Sequence, residues 1–229
     1  MNRSYSKIRH IQESNEKLEK RLLSEQDFSG MLKNLLNLAI GKTDNKTDNS
    51  GVKSNDKISG KGQELLNNPT FKSKLKEISS ELGIGEDSII KLMKHESGLN
   101  PSIKNSIGCV GLIQFCPDSK GGSTKTINGK TYNLSELANN LELQMDVIKD
   151  FWSKGKSSGK IKNAKDLYVY NFFPIAAGKS DDFVLKSKSL SAEKVATSNP
   201  IFNKTLGRPV NTPLTVGDLG DYYEKTGMV

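Results

Sequence analysis

Apolar residues recur at helical spacing along much of the 229-residue chain, and polar stretches separate these periodic segments. Residues 1–40 carry two such stripes, the first of which runs from Ile8 to Leu22 at heptad spacing. They predict an N-terminal helical arm. Residues 41–62 hold only two large apolar side chains, too few to offset the entropy of ordering, and predict a flexible linker.

The apolar spacing of residues 63–180 is typical of a packed domain. Asn68 followed by Pro69 predicts the start of a helix, and Gly83 and Gly98 predict helix ends. The predicted helices span residues 69–82, 86–97, 133–152 and 164–178, the last one interrupted near Pro174.

Between these helices, residues 98–133 are rich in Gly, Ser, Asn and Thr, and Asn128-Gly129 predicts a β-hairpin. Residues 153–163 predict a loop. Residues 181–229 predict an extension that packs on the domain, poor in helix apart from a short stretch at 215–226. The predicted fold class is mainly α (α+β), with a small β or loop element and an N-terminal helical arm.

The composition excludes several classes of protein. No apolar run approaches the roughly 18 residues that a membrane helix needs, so we predict no membrane span. Two cysteines are too few for a disulfide-rich scaffold. The N-terminal residues are polar and lack the apolar segment of a signal peptide, so we expect synthesis in a cytoplasm without export by the usual secretion route.

The net charge of +8 is spread over the chain, since residues 1–62 carry 12 basic and 8 acidic groups and residues 63–229 carry 22 and 18. A mild positive field suits a polyanionic partner such as nucleic acid, anionic lipid or a bacterial cell wall. Lysine outnumbers arginine, whereas arginine leads in base-edge contacts. Because the chain also lacks an aromatic-interleaved basic patch, we expect no nucleic-acid partner.

The segment with the most chemistry is HESGLNPSIKNSIGCVGLIQFCP, residues 95–117. Glu96 falls at the C-terminal end of a predicted helix, where the helix dipole disfavours an ionised carboxylate and favours the protonated acid that general acid catalysis requires. Gln114 is an amide within an apolar run and must find a hydrogen-bond partner in the backbone or in a ligand.

This segment resembles the soluble lytic transglycosylase family, which has the lysozyme fold. The family shows Glu-Ser, then Asn-Pro, then Gly-x-x-Gly-Leu-Met-Gln. The matching positions in this chain are Glu96-Ser97, Asn100-Pro101, Gly108, Gly111-Leu112, Ile113 in place of Met, and Gln114. A later similarity, to the phage-borne branch of the family, involves Asp166-Leu167-Tyr168 and Pro174-Ile175-Ala176-Ala177-Gly178.

The resemblance implies a lysozyme-like catalytic domain that cleaves the bond between N-acetylmuramic acid and N-acetylglucosamine in peptidoglycan. Glu96 would act as general acid and then as base, and the sugar's own C6 hydroxyl would attack C1 to give a 1,6-anhydro product. The implied substrate-binding residues are Ser97, Asn100, Gly111, Ile113, Gln114, Phe115 and Tyr168.

Two alternatives stay open at this point. A lysozyme-type muramidase needs a second carboxylate, for which Asp118 and Asp146 are the candidates. A catalytically inactive glycan-binding or structural module is favoured by a departure from the family's Tyr-Asn-Ala-Gly motif. In that motif Ile175 and Ala176 take the places of Tyr and Asn, and Tyr168 or Tyr170 are the candidate substitutes.

The remaining metal and thiol chemistry is sparse. Cys109 and Cys116 have the spacing of neither a zinc ribbon nor a CxxC motif, so we predict free, partly buried thiols that form a disulfide only in an oxidising compartment. The tail resembles a calcium loop of phage relatives in which Asn203, Lys204 and Thr205 replace the acidic ligands. We predict no metal and no cofactor.

An enzyme that cuts cell walls but has no export signal needs another route to its substrate. A bacteriophage particle supplies one, and we expect a virion protein that is made in the host cytoplasm and acts at the host periplasm and cell wall. Residues 4–40 would bind other virion proteins of the tail, baseplate or internal head.

Overall fold

The computed structural model describes residues 60–119, 121–188 and 190–228. The predicted N-terminal arm and all but the last three residues of the predicted linker lie outside this part of the chain. Helix α1, Gly60–Asn67, begins within those last three residues and leads directly into α2, Pro69–Leu82.

Helices α2 and α3, Glu86–Ser97, have the predicted bounds. The side chain of Asn68 accepts a hydrogen bond from the backbone N–H of Phe71, which caps α2, and Pro69 occupies the first turn, where its missing N–H has no cost. Gly83 and Gly98 end the two helices in the left-handed conformation. The two helix predictions are confirmed.

Strands β1, Thr124–Ile127, and β2, Lys130–Asn133, form an antiparallel hairpin around Asn128-Gly129, which confirms the predicted turn. The hairpin is fixed to the preceding loop by Asp118. Its carboxylate accepts a hydrogen bond from the Thr126 N–H at 2.7 Å and lies 3.0 Å from the ammonium group of Lys125, a buried lysine.

The predicted helix over residues 133–152 is wrong in two respects. It is divided into α4, Leu134–Asn139, and α5, Leu141–Ser157, by the extended backbone of Asn140, whose side chain caps α5. In addition, α5 continues through the first five residues of the predicted loop at 153–163. The predicted inward face remains inward, because one residue of extended backbone leaves both apolar stripes on the core side.

Helix α6, Ala164–Phe172, ends before Pro174, which confirms the predicted interruption there, whereas residues 174–178 form turns and do not continue the helix as predicted. Pro174 has no N–H to donate, and the residue before a proline avoids helical backbone. Phe173 accordingly has a non-helical φ of −143°.

The described residues of the C-terminal extension, 181–188 and 190–228, contain three helices, α7 (Ala192–Ser198), α8 (Pro200–Thr205) and α9 (Val216–Lys225). The short helix predicted at 215–226 is therefore confirmed, whereas α7 and α8 were not predicted. Helix α9 packs against both α6 and α8.

One core of apolar side chains joins these elements, with α2 packed along α5 and α3 against α6. Trp152 at its centre is completely buried, as are Phe71 and Ile89. The mainly helical architecture with one two-stranded sheet confirms the predicted mainly α (α+β) class. Within the described ranges, no helix is both long and apolar enough to cross a membrane.

Candidate active site

Glu96 lies in the last turn of α3 and is half-buried. The two residues that follow Ser97 both take left-handed backbone, with φ of 61° at Gly98 and at Leu99. A leucine rarely adopts this conformation, and here its complete burial in the core holds it there. The sharp turn ends the helix directly beside Glu96 and leaves the carboxyl group at the edge of the core.

Asn171 on α6 is the hydrogen-bond partner of Glu96. Its Nδ2 donates to Glu96 Oε1 at 3.1 Å, across 75 positions of sequence. Asn171 is 4% exposed, and its Oδ1 has no hydrogen-bond partner among the described residues. The amide therefore orients one carboxyl oxygen and leaves a buried acceptor beside it that a ligand hydroxyl or N–H group can satisfy.

Two tyrosines and a histidine form an aromatic cluster beside Glu96. The rings of Tyr168 and Tyr222 stack at 6.2 Å, and the ring of His95, which is exposed, approaches both at about 6 Å in edge-on contact. Burial, together with the charges of Tyr222 and Glu96, raises the pKa of Tyr168 well above its usual range. The phenol of Tyr168 is therefore protonated at neutral pH.

The loop of residues 108–116 is closed at its base by two kinds of bond. Val110 and Phe115 exchange backbone hydrogen bonds of 2.9 and 2.8 Å, and the adjacent Cys109 and Cys116 form a disulfide. The prediction of free thiols is wrong. The sequence spacing alone does not reveal that the chain reverses between the two cysteines and brings both buried side chains together.

We expect the Cys109–Cys116 disulfide to stabilise the folded protein. Reduction should lower the free energy of unfolding by about 2 to 3 kcal/mol, because opening an eight-residue loop returns conformational entropy to the unfolded chain. Thermal melting with and without a phosphine reductant measures the effect. The double variant Cys109→Ser/Cys116→Ser, which has no disulfide to reduce, is the control and should melt at the same temperature with and without reductant. A wild-type melting temperature that does not respond to reductant would contradict the prediction.

Gln114, predicted to bind substrate, forms side-chain hydrogen bonds with Asn105 and Gly111. Its Oε1 accepts from Asn105 Nδ2 at 3.0 Å, its Nε2 donates to the Gly111 carbonyl at 3.0 Å, and its backbone is left-handed with φ 57°. The buried amide thus fulfils the sequence-based expectation that it finds a polar partner, and the partners are a backbone carbonyl and a second amide.

Gln144 on α5 has a structural role that the sequence analysis does not predict. Its side chain joins three segments beneath this loop. Its Oε1 accepts from the Leu112 N–H at 2.8 Å, and its Nε2 donates to the carbonyls of Pro101 and Leu137 at 3.0 and 2.6 Å. The side chain is completely buried, so all three backbone groups depend on it. An amide on the inward side of an amphipathic helix is the signal that would have identified it.

Gly111 lies directly over the amide of Gln144. An added Cβ would lie 2.7 Å from that group, and the φ of 79° disfavours side chains in any case. We expect Gly111→Ala to cost about 2 to 3 kcal/mol of unfolding free energy, since the pinned amide cannot move aside. Gly159→Ala, with φ 72° and no neighbour within 4 Å, isolates the backbone contribution, and equal losses in urea unfolding would contradict the packing argument.

The other predicted binding residues are dispersed. Ser97 is buried, and its hydroxyl donates to the Met93 carbonyl within α3. Asn100 accepts from the Ser102 N–H and lines an open cavity of about 310 Å³. Ile113 and Phe115 are core residues, Phe115 in edge-on contact with Phe151. Of the predicted substrate-binding residues, Tyr168 is the one from another element that joins the aromatic cluster beside Glu96.

The sequence analysis assigns Ile175 and Ala176 to the Tyr and Asn places of the motif, and the structure brings a different residue to Glu96. Ala176 is buried in the core, and the asparagine that reaches Glu96 is Asn171, preceded in sequence by Tyr170. Tyr170 packs on Phe151 with ring centroids 5.0 Å apart, and burial raises its pKa to about 12. The adjacent Tyr170-Asn171 pair is the sequence signal that could have pointed to Asn171.

Asp118 and Asp146, the two candidates for a second catalytic carboxylate, both form ion pairs with lysines. Asp118 is bound to the hairpin through Lys125 and Thr126, and Asp146 lies 2.7 Å from the ammonium group of Lys74 on α2. The hydrogen bond to Asp146 raises the pKa of Lys74. Both carboxylates therefore form ion pairs with lysines of other elements, Asp118 with Lys125 on β1 and Asp146 with Lys74 on α2.

The tail that resembles a calcium loop is organised around an arginine. Arg208 donates to Asp218 Oδ1 at 2.7 Å and to Asn203 Oδ1 at 2.9 Å, while Asn203 Nδ2 donates to the carbonyls of Val210 and Thr212. In residues 60–119, 121–188 and 190–228, no three His, Cys, Asp or Glu side chains are grouped as metal ligands.

Comparison with protein families places part of the chain in a known domain family. Residues 74–172 match the model described as the Transglycosylase SLT domain. The matched segment includes Glu96, the disulfide-closed loop, Gln144 and Asn171, and it ends at the last residue of α6, before α7–α9. No curated protein and no solved structure matches the chain.

Proposed function

We propose that this chain, whose residues 74–172 match an SLT transglycosylase domain of the lysozyme-like superfamily, is a lytic transglycosylase that cleaves peptidoglycan with Glu96 as its single catalytic carboxylate. The family match supports a peptidoglycan-cleaving function of the transglycosylase type. The observation that carries the finer proposal is the half-buried Glu96 held by the amide of Asn171, both within the matched segment.

The proposed reaction needs one proton donor that later accepts a proton. The Glu96 carboxylic acid protonates the glycosidic oxygen as its bond to C1 of N-acetylmuramic acid breaks. The resulting carboxylate then takes the proton of the C6 hydroxyl of the same sugar, whose oxygen forms the new bond to C1. The proton count closes without water, and the product is a 1,6-anhydro sugar.

Asn171 suits this cycle because its amide donates to Oε1 and leaves Oε2 to carry the proton. The orientation of the acid is then set before substrate binds, which is the condition for efficient proton transfer. The unpartnered Oδ1 of Asn171 provides an acceptor for a sugar hydroxyl or acetamido N–H at the same place.

The ion pairs that Asp118 and Asp146 form with lysines support the transglycosylase reaction over lysozyme-type hydrolysis. A hydrolase of the retaining or inverting type places a second carboxylate about 5 to 9.5 Å from the acid. The two carboxylates that the sequence offers for this role form ion pairs with Lys125 and Lys74 instead.

Mass spectrometry of the soluble products released from purified peptidoglycan tests the proposal. We expect anhydro-muropeptides. Products with reducing ends would establish a muramidase, and a protein that binds the walls but releases nothing, where a known muramidase works, would establish a glycan-binding or structural module.

We also propose that the enzyme belongs to a bacteriophage particle and is carried to the cell wall by virion proteins that bind residues 4–40. The apolar stripe of that segment supports this proposal. Deleting residues 1–59, which leaves α1 intact, should preserve cleavage of purified walls and abolish incorporation into particles. Unchanged incorporation would refute the proposed docking role.

A further inference from the structure

The Cys109–Cys116 disulfide closes the loop that includes the second half of the family motif. The motif leaves position 109 open and ends at Gln114, so neither cysteine belongs to it. Both cysteine side chains are completely buried. A reagent in solution therefore reaches the sulfur atoms only when the loop opens, and the folded loop protects the bond once it has formed.

The loop accommodates the two thiols as well as the disulfide. Cys116 Sγ lies 3.5 Å from the Gln114 carbonyl, an acceptor to which a thiol can donate and a disulfide sulfur cannot. Asn105 holds the loop in either state, since its Oδ1 accepts from the Cys109 N–H at 2.9 Å and its Nδ2 donates to Gln114 Oε1 at 3.0 Å. Reduction should therefore rearrange the loop locally and leave the domain folded.

Breaking the disulfide displaces the side chains around it. Two thiols carry two more hydrogen atoms than a disulfide, and they repel each other where the bond held the sulfur atoms together. Residues 109–117 are all buried. Because a protein core is close-packed, the displacement passes to the adjoining side chains, of which Phe115 is the neighbour of Cys116 in sequence.

Aromatic contacts connect Phe115 to the residue that holds Glu96. Phe115 meets Phe151 on α5 edge-on, with ring centroids 6.3 Å apart. Phe151 in turn packs on Tyr170 of α6, with ring centroids 5.0 Å apart. Tyr170 directly precedes Asn171, whose Nδ2 donates to Glu96 Oε1 at 3.1 Å. A shift of the loop thus reaches the carboxyl group through buried rings that are in contact.

We propose that the Cys109–Cys116 disulfide is a redox switch for glycan cleavage, in which the disulfide protein is active and the dithiol protein is only weakly active. The inference rests on the proposed function of Glu96. Proteins are synthesised in a reducing cytoplasm, whereas peptidoglycan lies outside it, where disulfides form and persist. The bond therefore forms after the chain has left the compartment of its synthesis, and it completes the site where the substrate is.

The oxidant is a second disulfide, carried by a small molecule such as glutathione disulfide or by a protein. The thiolate of one cysteine attacks it, one half of the oxidant leaves as a thiolate, and a mixed disulfide remains. The thiolate of the other cysteine then attacks the sulfur of the first, and the second half of the oxidant leaves. The protein loses two electrons and two protons, which the two released thiols carry.

Activity in glutathione buffers of graded redox poise tests the switch. Solubilised glycan strands are the substrate, and alkylation of free thiols followed by mass spectrometry measures the oxidised fraction of the protein. We expect the rate and the oxidised fraction to rise with one midpoint. The reduced enzyme should be at least about tenfold slower, since a misplacement of about 1 Å can cost about 10²-fold in rate. Cys109→Ser/Cys116→Ser should have the slow rate at every poise.

A second measurement does not depend on activity. The side-chain nitrogen-15 resonance of Asn171, assigned by its absence from Asn171→Asp, should differ between the oxidised and the reduced protein. The matched control is Asn203, whose side chain the carbonyls of Val210 and Thr212 hold in the C-terminal extension. Its resonance should be the same in both states, and the reduced protein should melt above the assay temperature.

The outcomes separate the switch from the proposed function. A reduced enzyme as fast as the oxidised one, a fast serine double variant, or a rate that falls only where the reduced protein unfolds would overturn the switch while leaving Glu96 in its role. An Asn171 resonance that does not respond to reduction would overturn the path from the loop to Glu96. An oxidised wild type without activity would refute the proposed function and the switch together, and the Asn171 resonance would still decide whether the loop and the carboxyl site are coupled.

Discussion

Replacing Glu96 with glutamine is expected to lower the rate of peptidoglycan cleavage by about 10³-fold or more. Glutamine keeps the size of the side chain and an oxygen that accepts from Asn171 Nδ2, but it has no acidic proton for the glycosidic oxygen. General acid–base catalysis contributes about 10² to 10⁴ to enzyme rates, and here one group serves in both steps. Release of soluble fragments from dye-labelled walls measures the effect.

The matched control is Glu81→Gln, which makes the same chemical change at an exposed position of α2. It should retain the wild-type rate, and both variants should melt within a few degrees of the wild type. A Glu96→Gln protein that degrades walls as fast as Glu81→Gln would remove Glu96 from the catalytic role.

The largest expected effect on stability is that of Gln144→Leu. The substitution keeps the approximate volume, but it leaves the Leu112 N–H and the carbonyls of Pro101 and Leu137 without their buried partner. Each buried polar group left unpaired costs about 1 to 3 kcal/mol, so we expect a loss of at least about 3 kcal/mol in unfolding free energy. Urea unfolding followed by circular dichroism measures it.

Gln63→Leu is the corresponding surface control, since Gln63 is exposed on α1, and it should change stability by less than about 0.5 kcal/mol. A Gln144→Leu protein as stable as this control would mean that the three backbone groups find other partners. The contacts of Gln144 would then be dispensable for the loop that lies over it.

The parts of the fold that were predicted correctly have local causes. Asn68, Pro69, Gly83 and Gly98 set the bounds of α2 and α3 through capping and left-handed backbone, which depend on a few neighbouring residues. The Asn128-Gly129 turn is likewise local. Such signals are complete within a short stretch of sequence.

The errors in the fold have tertiary causes. Asn140 divides a stretch whose apolar periodicity continues on both sides, because its side chain caps α5 and its backbone turns the chain. Helices α7 and α8 have six or seven residues each and gain their stability from packing, with Phe202 set against Phe172 and Tyr222.

The candidate site was predictable to the extent that its chemistry lies in one segment. Glu96 followed from its place at a helix end and from the motif around it. Its hydrogen-bond partner, Asn171, comes from 75 positions further along the chain, and no spacing rule connects the two residues. Gln114 was identified from the motif as well, and its hydrogen bonds with Asn105 and the Gly111 carbonyl depend on a chain reversal that the sequence spacing does not reveal.

The central claim is that one carboxylate cleaves the glycan and that the sugar's own hydroxyl replaces water. Digestion of purified peptidoglycan in ¹⁸O-labelled water tests it most directly. The proposed reaction predicts product ends that carry no label and terminate in a 1,6-anhydro ring. Products in which each new reducing end carries one labelled oxygen would contradict it and show that water is the attacking group.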